Sequence, residues 1–217
     1  MPFSHIDTWV FDLDNTLYDA ETHIFPRVTV RMREFIIDLL QVSTQEADTL
    51  RQQYFKKYGT SMRGLMIEHG VDPDHFLDSV HDIDITDVPQ CDITVQKLAH
   101  LPGKKIIFTN APRRYAHALT RQLGIDHHFD HLFAVEDAAY LPKPHIDPYH
   151  EVIKRFGINP ATACMFEDMA VNLVPAHDLG MTTVWIHGKE DAGADHPHVH
   201  HRYKKLSDWL NDHAKGN

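Results

Sequence analysis

Cysteine is scarce, with Cys91 and Cys164 the only two in 217 residues, far apart and without CxxC spacing. That excludes a disulfide-built fold and a thiolate metal centre, and both thiols are expected to be reduced and structural. No apolar run approaches the roughly 18 residues that a spanning helix needs, and no basic start followed by an apolar segment opens the chain. The expectation is therefore a cytoplasmic protein that neither crosses nor is exported through a membrane. No block of Lys or Arg appears, and the formal net charge is −10 with His neutral. This speaks against a nucleic-acid partner and against docking on an anionic membrane. Internal repeats are lacking too.

What is present is apolar residues at 42%, enough to bury one core and an insertion, and 19 histidines. Four of these, His196, His198, His200 and His201, crowd into ADHPHVHHRY. Pro197 breaks a helical i,i+4 arrangement there and no acid or thiol completes a tetrahedral set, so no specific metal site is expected from them.

The chain is organised around residues 8–18, TWVFDLDNTLY. A short β-prone run ends in Asp12, Asp14 and Thr16, two residues apart, which an extended backbone places on one face. Two carboxylates at close quarters raise each other's pKa unless a cation lies between them, and oxygen ligands suit magnesium. The same residues would also serve as a strand end and helix cap.

From 19 to 90 the periodicity is helical: Val28, Met32, Phe35, Ile36, Leu39 and Leu40 are spaced by threes and fours. Ser43 with Glu46 predicts a capping box, Gly59 and Gly70 predict stops, and Asp72-Pro73 predicts a further helix start. Strands then alternate with helices. Strands are expected near 105–109, 132–135, 163–166 and 182–186, and helices near 113–123, 148–156 and 172–179, with a last docking helix at LSDWL. With the first strand this makes about five, an α/β, Rossmann-like, doubly wound parallel sheet whose ligands lie beyond the carboxyl ends of the strands. The expected division is a core of 1–18 and 91–217 interrupted by an all-helical cap of 19–90.

FDLDNTLY, together with three later strand ends, resembles the haloacid dehalogenase-like phosphotransferases, and within them the pyrimidine 5'-nucleotidases. The later motifs are IIFTN with Thr109 and Asn110, LPKPH with Lys143, and CMFED with Glu167, Asp168 and then Asn172. The resemblance implies Asp12 as nucleophile and Asp14 as acid and base. It assigns Leu13, Thr109, Asn110 and Lys143 to the phosphate, with Lys143 also catalytic. It implies Mg²⁺ on Asp12, the Asp14 backbone carbonyl and Asp168, with Glu167 and Asn172 behind them. Met169 departs from the pattern, standing where these nucleotidases usually carry Ser. The cap segment YFKKYGTSMRGL resembles the nucleotidase branch and implies Tyr58 and Arg63 as substrate-reading residues; a helix end with Tyr58 in the core is the other reading. The function implied is an Mg²⁺-dependent phosphomonoesterase for UMP and CMP, acting on a small phosphorylated metabolite as a monomer or weak homodimer. Other metabolite phosphatases (for a sugar phosphate, FMN or PLP), a phosphomutase, a dehalogenase and a non-catalytic module are the alternatives. Asp14 argues for an oxygen leaving group, because halide leaves without a proton.

Overall fold

The computed structural model describes residues 3–188 and 196–213. The outer ends of the expected core, 1–2 and 214–217, and the start of the His-rich tract lie outside them. In chain order the elements are β1 (Thr8–Phe11), α1 (Ala20–His23), α2 (Phe25–Leu40), α3 (Thr44–Tyr58), α4 (Ser61–His69), α5 (Pro73–Val80) and α6 (Asp92–His100). There follow β2 (Lys104–Phe108), α7 (Arg113–Gln122), β3 (His131–Phe133), α8 (Ile146–Phe156) and β4 (Ala163–Glu167). The last are α9 (Leu173–Asp178), β5 (Thr182–Ile186), β6 (His201–Tyr203) and α10 (Leu206–His213).

All strands are parallel, in the order β3-β2-β1-β4-β5-β6. The chain winds outward from β1 through β2 to β3, then crosses back to β4 on the other side of β1. The carboxyl ends of β1 and β4 therefore flank a topological switch point, where such sheets bind ligands. Asp12 is the first residue beyond β1, and its N–H donates to the Phe166 carbonyl of β4 at 2.9 Å.

The sheet is covered on both faces, which is why β1 and β4 are buried along their whole length. Alternate residues divide between two apolar layers. Trp9, Phe11, Cys164, Phe166, Val184 and Ile186 face one layer; Val10, Ile106, Phe108, Met165 and Trp185 face the other. The first layer is closed by α6, α7 and α10, the second by α8 and α9. Trp209 of α10 is fully buried, with its ring 4.6 Å from Phe166 and 5.3 Å from Trp9.

The sheet has six strands, where the sequence indicated about five. The extra strand, β6, is only His-Arg-Tyr, and it exists because the β5 edge offers a partner, pairing Val184 with His201 and Ile186 with Tyr203. The nearby histidines serve this junction: His200 Nδ1 accepts from the Thr183 N–H at 3.1 Å, and His198 Nε2 lies 2.7 Å from the Ala170 carbonyl.

Helices α1 to α5 follow β1 in the chain before α6 leads into β2, and their ends follow the caps in the sequence. Ser43 and Glu46 form the capping box, and Asp72 accepts from the Asp74 N–H at 2.9 Å. At Gly64 an added Cβ would lie 2.4 Å from the Tyr54 Cβ, so α3 and α4 approach too closely for any side chain. Gly59, at φ 84°, ends α3 beside the loop that carries Lys143, where a Cβ would stand 3.4 Å from Pro142 Cγ. The Tyr140 hydroxyl of the same loop donates to Asp74 of α5.

Candidate active site

Asp12 is held from two directions. Its Oδ1 lies 2.8 Å from Lys143 Nζ, and its Oδ2 accepts from the Thr16 hydroxyl at 3.0 Å. Lys143 is 2% exposed and spends all three ammonium protons: on Asp12, on Glu167 Oε2 at 2.7 Å and on the Phe108 carbonyl at 2.9 Å. Burial works to depress the Lys143 ammonium, but the Asp12 and Glu167 charges outweigh it and hold the pKa above the ordinary value. An ammonium left unpaired at this depth would be untenable, so Lys143 and its two carboxylates form one unit.

The loop carrying Lys143 is clamped from the end of β2. Asn110 Oδ1 accepts from the Lys143 N–H at 2.8 Å, and its Nδ2 donates to the Lys143 carbonyl at 3.4 Å. Its Oδ1 and one Nδ2 proton thus grip the lysine backbone, and the second Nδ2 proton is left to donate. Thr109 is buried, and its Oγ1 accepts from the Ala111 N–H at 3.0 Å, which leaves its own proton to donate. Leu13 is fully buried.

Glu167 is 1% exposed; its Oε2 goes to Lys143 and its Oε1 accepts from Asn172 Nδ2 at 2.7 Å. The Asp168 backbone carbonyl accepts from Trp185 Nε1 at 2.7 Å, which fixes the turn after β4. Burial raises the pKa of both acids, Asp12 adds to it for both, and Glu167 adds to it for Asp168. Met169 is 36% exposed at this rim.

Asp14 points elsewhere. Its Oδ1 accepts from the Tyr115 hydroxyl at 2.9 Å and from the Tyr18 hydroxyl, and the two phenol oxygens are 2.8 Å apart. Removal from water pushes Asp14 up to about 6, the Asp12 charge adds to this, and the two phenols restrain it. A carboxyl in that range can both give and take a proton near neutrality.

A family description, haloacid dehalogenase-like hydrolase, matches residues 6–180. The chain belongs to the haloacid dehalogenase-like hydrolases. Among curated proteins it is similar to Phosphate metabolism protein 8 of Saccharomyces cerevisiae (strain S288c), 28% identical over 201 residues, covering 83% of this chain. The match takes in 61% of that relative, so the chain spans about three fifths of its length. In fold it is similar to a HAD phosphatase from Thermococcus onnurineus, with a TM-score of 0.68, 20% identity and coverage of 95% and 97% of the two chains. It is also similar to L-2-haloacid dehalogenase from Xanthobacter autotrophicus, with a TM-score of 0.61, 18% identity and coverage of 95% and 97%. A third is the HAD-hydrolase YfnB from Bacillus subtilis bound to magnesium, with a TM-score of 0.63, 15% identity and coverage of 95% and 98%. The haloacid dehalogenase-like fold thus serves phosphatases and dehalogenases alike, and the choice between them falls to the side chains.

Such hydrolases generally use Mg²⁺, and the donors here fit it. One oxygen from each of Asp12, Glu167 and Asp168 lies within 4.8 Å of the others, the one such group among the described residues. Three carboxylates crowded together, two of them with pKa raised first by burial, form a hard-oxygen site. Each carboxylate oxygen has two lone pairs, so Asp12 and Glu167 keep acceptor capacity beside their hydrogen bonds and Asp168 stands next to them.

Sequence reasoning missed Tyr115 and gave no role to Tyr18. Tyr18 carried a signal, since it closes the FDLDNTLY motif; Tyr115 lies on α7 and reaches Asp14 only through the fold. Arg63 is half buried on α4, its backbone N–H donates to Thr60 Oγ1 at 3.1 Å, and its side chain has no hydrogen bond or ion pair with the described residues. Tyr58 directs its hydroxyl to Glu68.

Proposed function

We propose that this hydrolase is a magnesium-dependent phosphomonoesterase working through an aspartyl-phosphate on Asp12, with pyrimidine nucleoside 5'-monophosphates, UMP and CMP, as its substrates. Asp14 is the observation that carries the phosphatase reading. A halide leaves without a proton, whereas an alkoxide must be protonated, and this chain keeps a carboxyl poised near neutrality two residues from the nucleophile. The phosphate named in the yeast relative supports the same chemistry.

In the first step an Asp12 oxygen bonds to phosphorus as the bond to the ribose O5' breaks, and Asp14 delivers its proton to that oxygen. In the second, water attacks the phosphorus, Asp14 takes the water's proton, and the Asp12 carboxylate is released with inorganic phosphate. Lys143 balances the Asp12 charge and the phosphoryl oxygens, while the Thr109 hydroxyl and the Leu13 backbone N–H donate to the same oxygens. Asn110 sets the Lys143 backbone. Mg²⁺, held by Asp12, the Asp14 carbonyl and Asp168 with Glu167 and Asn172 behind, would supply charge stabilisation to the transferring group.

The helices from 19 to 90 act as a cap. Gly59 packs on the Pro142 end of the lysine loop, so the α3–α4 corner lies beside the site. Arg63, without an acidic partner, is free to meet a base or ribose, and Tyr58 lines the approach. A closed cap leaves less room for a purine, a difference worth about 1–3 kcal/mol. The protein is taken to act in the cytoplasm as a monomer or weak homodimer.

Phosphate release from UMP, CMP, AMP and GMP, with Mg²⁺ and with EDTA, tests this. Metal-dependent release with pyrimidines ahead by roughly 10- to 200-fold in kcat/KM is expected. Chloride release from 2-chloropropionate without phosphatase activity would overturn the phosphatase reading, and equal use of purines and pyrimidines would overturn the branch.

A further inference from the structure

A half-buried phenol, Tyr18, and a buried one, Tyr115, converge on one oxygen of a carboxyl group. Tyr18 reaches Asp14 along the chain, where the backbone makes a parallel bridge between the two residues. Tyr115 reaches it from the first turns of α7, and is 5% exposed. Both hydroxyls meet Asp14 Oδ1, and they lie 2.8 Å from each other. The ring of His81 stands 5.0 Å from that of Tyr115. A phenol keeps its proton at neutral pH, so both hydroxyls are donors.

From this geometry we infer that Tyr18 and Tyr115 are positioning residues for Asp14: by donating to Oδ1 they fix the plane of the carboxyl group and reserve Oδ2 for the proton that is given and taken. The inference rests on the proposed role of Asp14 in phosphomonoester hydrolysis. A carboxyl free to rotate presents either oxygen at any angle, and a proton donor off by an ångström or a few tens of degrees loses much of its effect. Two hydrogen bonds to one oxygen remove that freedom. They also distinguish the oxygens chemically: the one accepting twice is the carbonyl-type oxygen of the neutral acid, so the transferable proton sits on the other. After transfer the same phenols stabilise the carboxylate until water is deprotonated.

Removal of a hydroxyl should therefore matter in proportion to how much the leaving group needs a proton. Tyr115→Phe and Tyr18→Phe keep the rings, and Tyr115→Phe keeps the contact with His81. For each, kcat is measured on UMP, whose alkoxide must be protonated, and on p-nitrophenyl phosphate, whose phenolate needs little help. The ratio of the two kcat values within one preparation is independent of the folded fraction, so partial misfolding leaves the test intact. Each variant should lower kcat on UMP roughly tenfold more than on p-nitrophenyl phosphate, the double variant more still, with KM for UMP changed less than threefold, about a tenth of the effect of losing the acid itself. Asp14→Asn, run alongside, should show the same skew more strongly. Equal losses on both substrates, or losses confined to KM, would overturn the positioning role while Asp14→Asn still upheld the acid. If Asp14→Asn showed no skew either, or wild type released no phosphate, the acid assignment would fall and this inference with it.

Discussion

The strand ends around Asp12 and the helices between β1 and β2 treat charge in opposite ways. At the strand ends, Lys143 meets Asp12 and Glu167 at 2.8 and 2.7 Å with side chains 1%, 8% and 2% exposed. On the helical stretch, Arg27 of α2 meets Asp87 in the turn before α6 at 2.5 Å, a shorter contact, yet the side chains are 35% and 51% exposed. Distance alone would rank the surface pair higher. Burial reverses the ranking, because water screens the surface pair and competes for its hydrogen bonds, whereas nothing replaces a partner lost inside. Buried charge is costly to fold around, and its retention at the switch point of the sheet is a mark of chemistry rather than of stability.

The comparison is most strongly tested at Lys143. Lys143→Ala should lower unfolding stability by about 3–5 kcal/mol by leaving Asp12 and Glu167 facing each other unpaired, read as a shift of the urea midpoint, and should abolish turnover. Mg²⁺ should restore part of that stability in the variant. A midpoint unchanged from wild type would mean that the two acids are relieved without the lysine. Next comes the cation. Asp168→Ala should raise the Mg²⁺ concentration for half-maximal activity more than Asn172→Ala does, since Asn172 acts through Glu167; a reversed order would put the cation behind Glu167. Smaller again is Arg63→Ala, expected to narrow the pyrimidine preference by up to the whole roughly 10- to 200-fold while hydrolysis of p-nitrophenyl phosphate continues. Smallest is Arg27→Ala, which should leave the urea midpoint within the scatter of wild type. A clear loss there would show that burial is not what separates the two regions.

Much of the fold was legible in the sequence because its signals are local. Ser43 and Glu46, Asp72 and Pro73, and the glycines at 59 and 70 mark helix ends through bonds made within a few residues. The apolar runs at β1, β2, β4 and β5 mark strands buried on both faces. Strand β6 was not legible: His-Arg-Tyr has neither length nor alternation, and only the β5 edge makes it a strand. The site divides in the same way. Asp12, Lys143, Glu167 and Asp168 each follow a recognisable strand end, and parallel order brings those ends together. The Asn110 grip on the Lys143 backbone and the Tyr115 contact with Asp14, 101 residues apart in sequence, depend on side-chain directions that no spacing reveals.

Covalent capture at Asp12 tests the central claim most directly. Wild-type enzyme quenched in acid during turnover of p-nitrophenyl phosphate with Mg²⁺ should carry a phosphoryl group on the peptide containing Asp12, found by mass spectrometry. Asp12→Asn should carry none, and its turnover should fall by several orders of magnitude, because an amide cannot attack phosphorus. Steady phosphate release by Asp12→Asn, or a phosphoryl group on any other residue, would contradict the account.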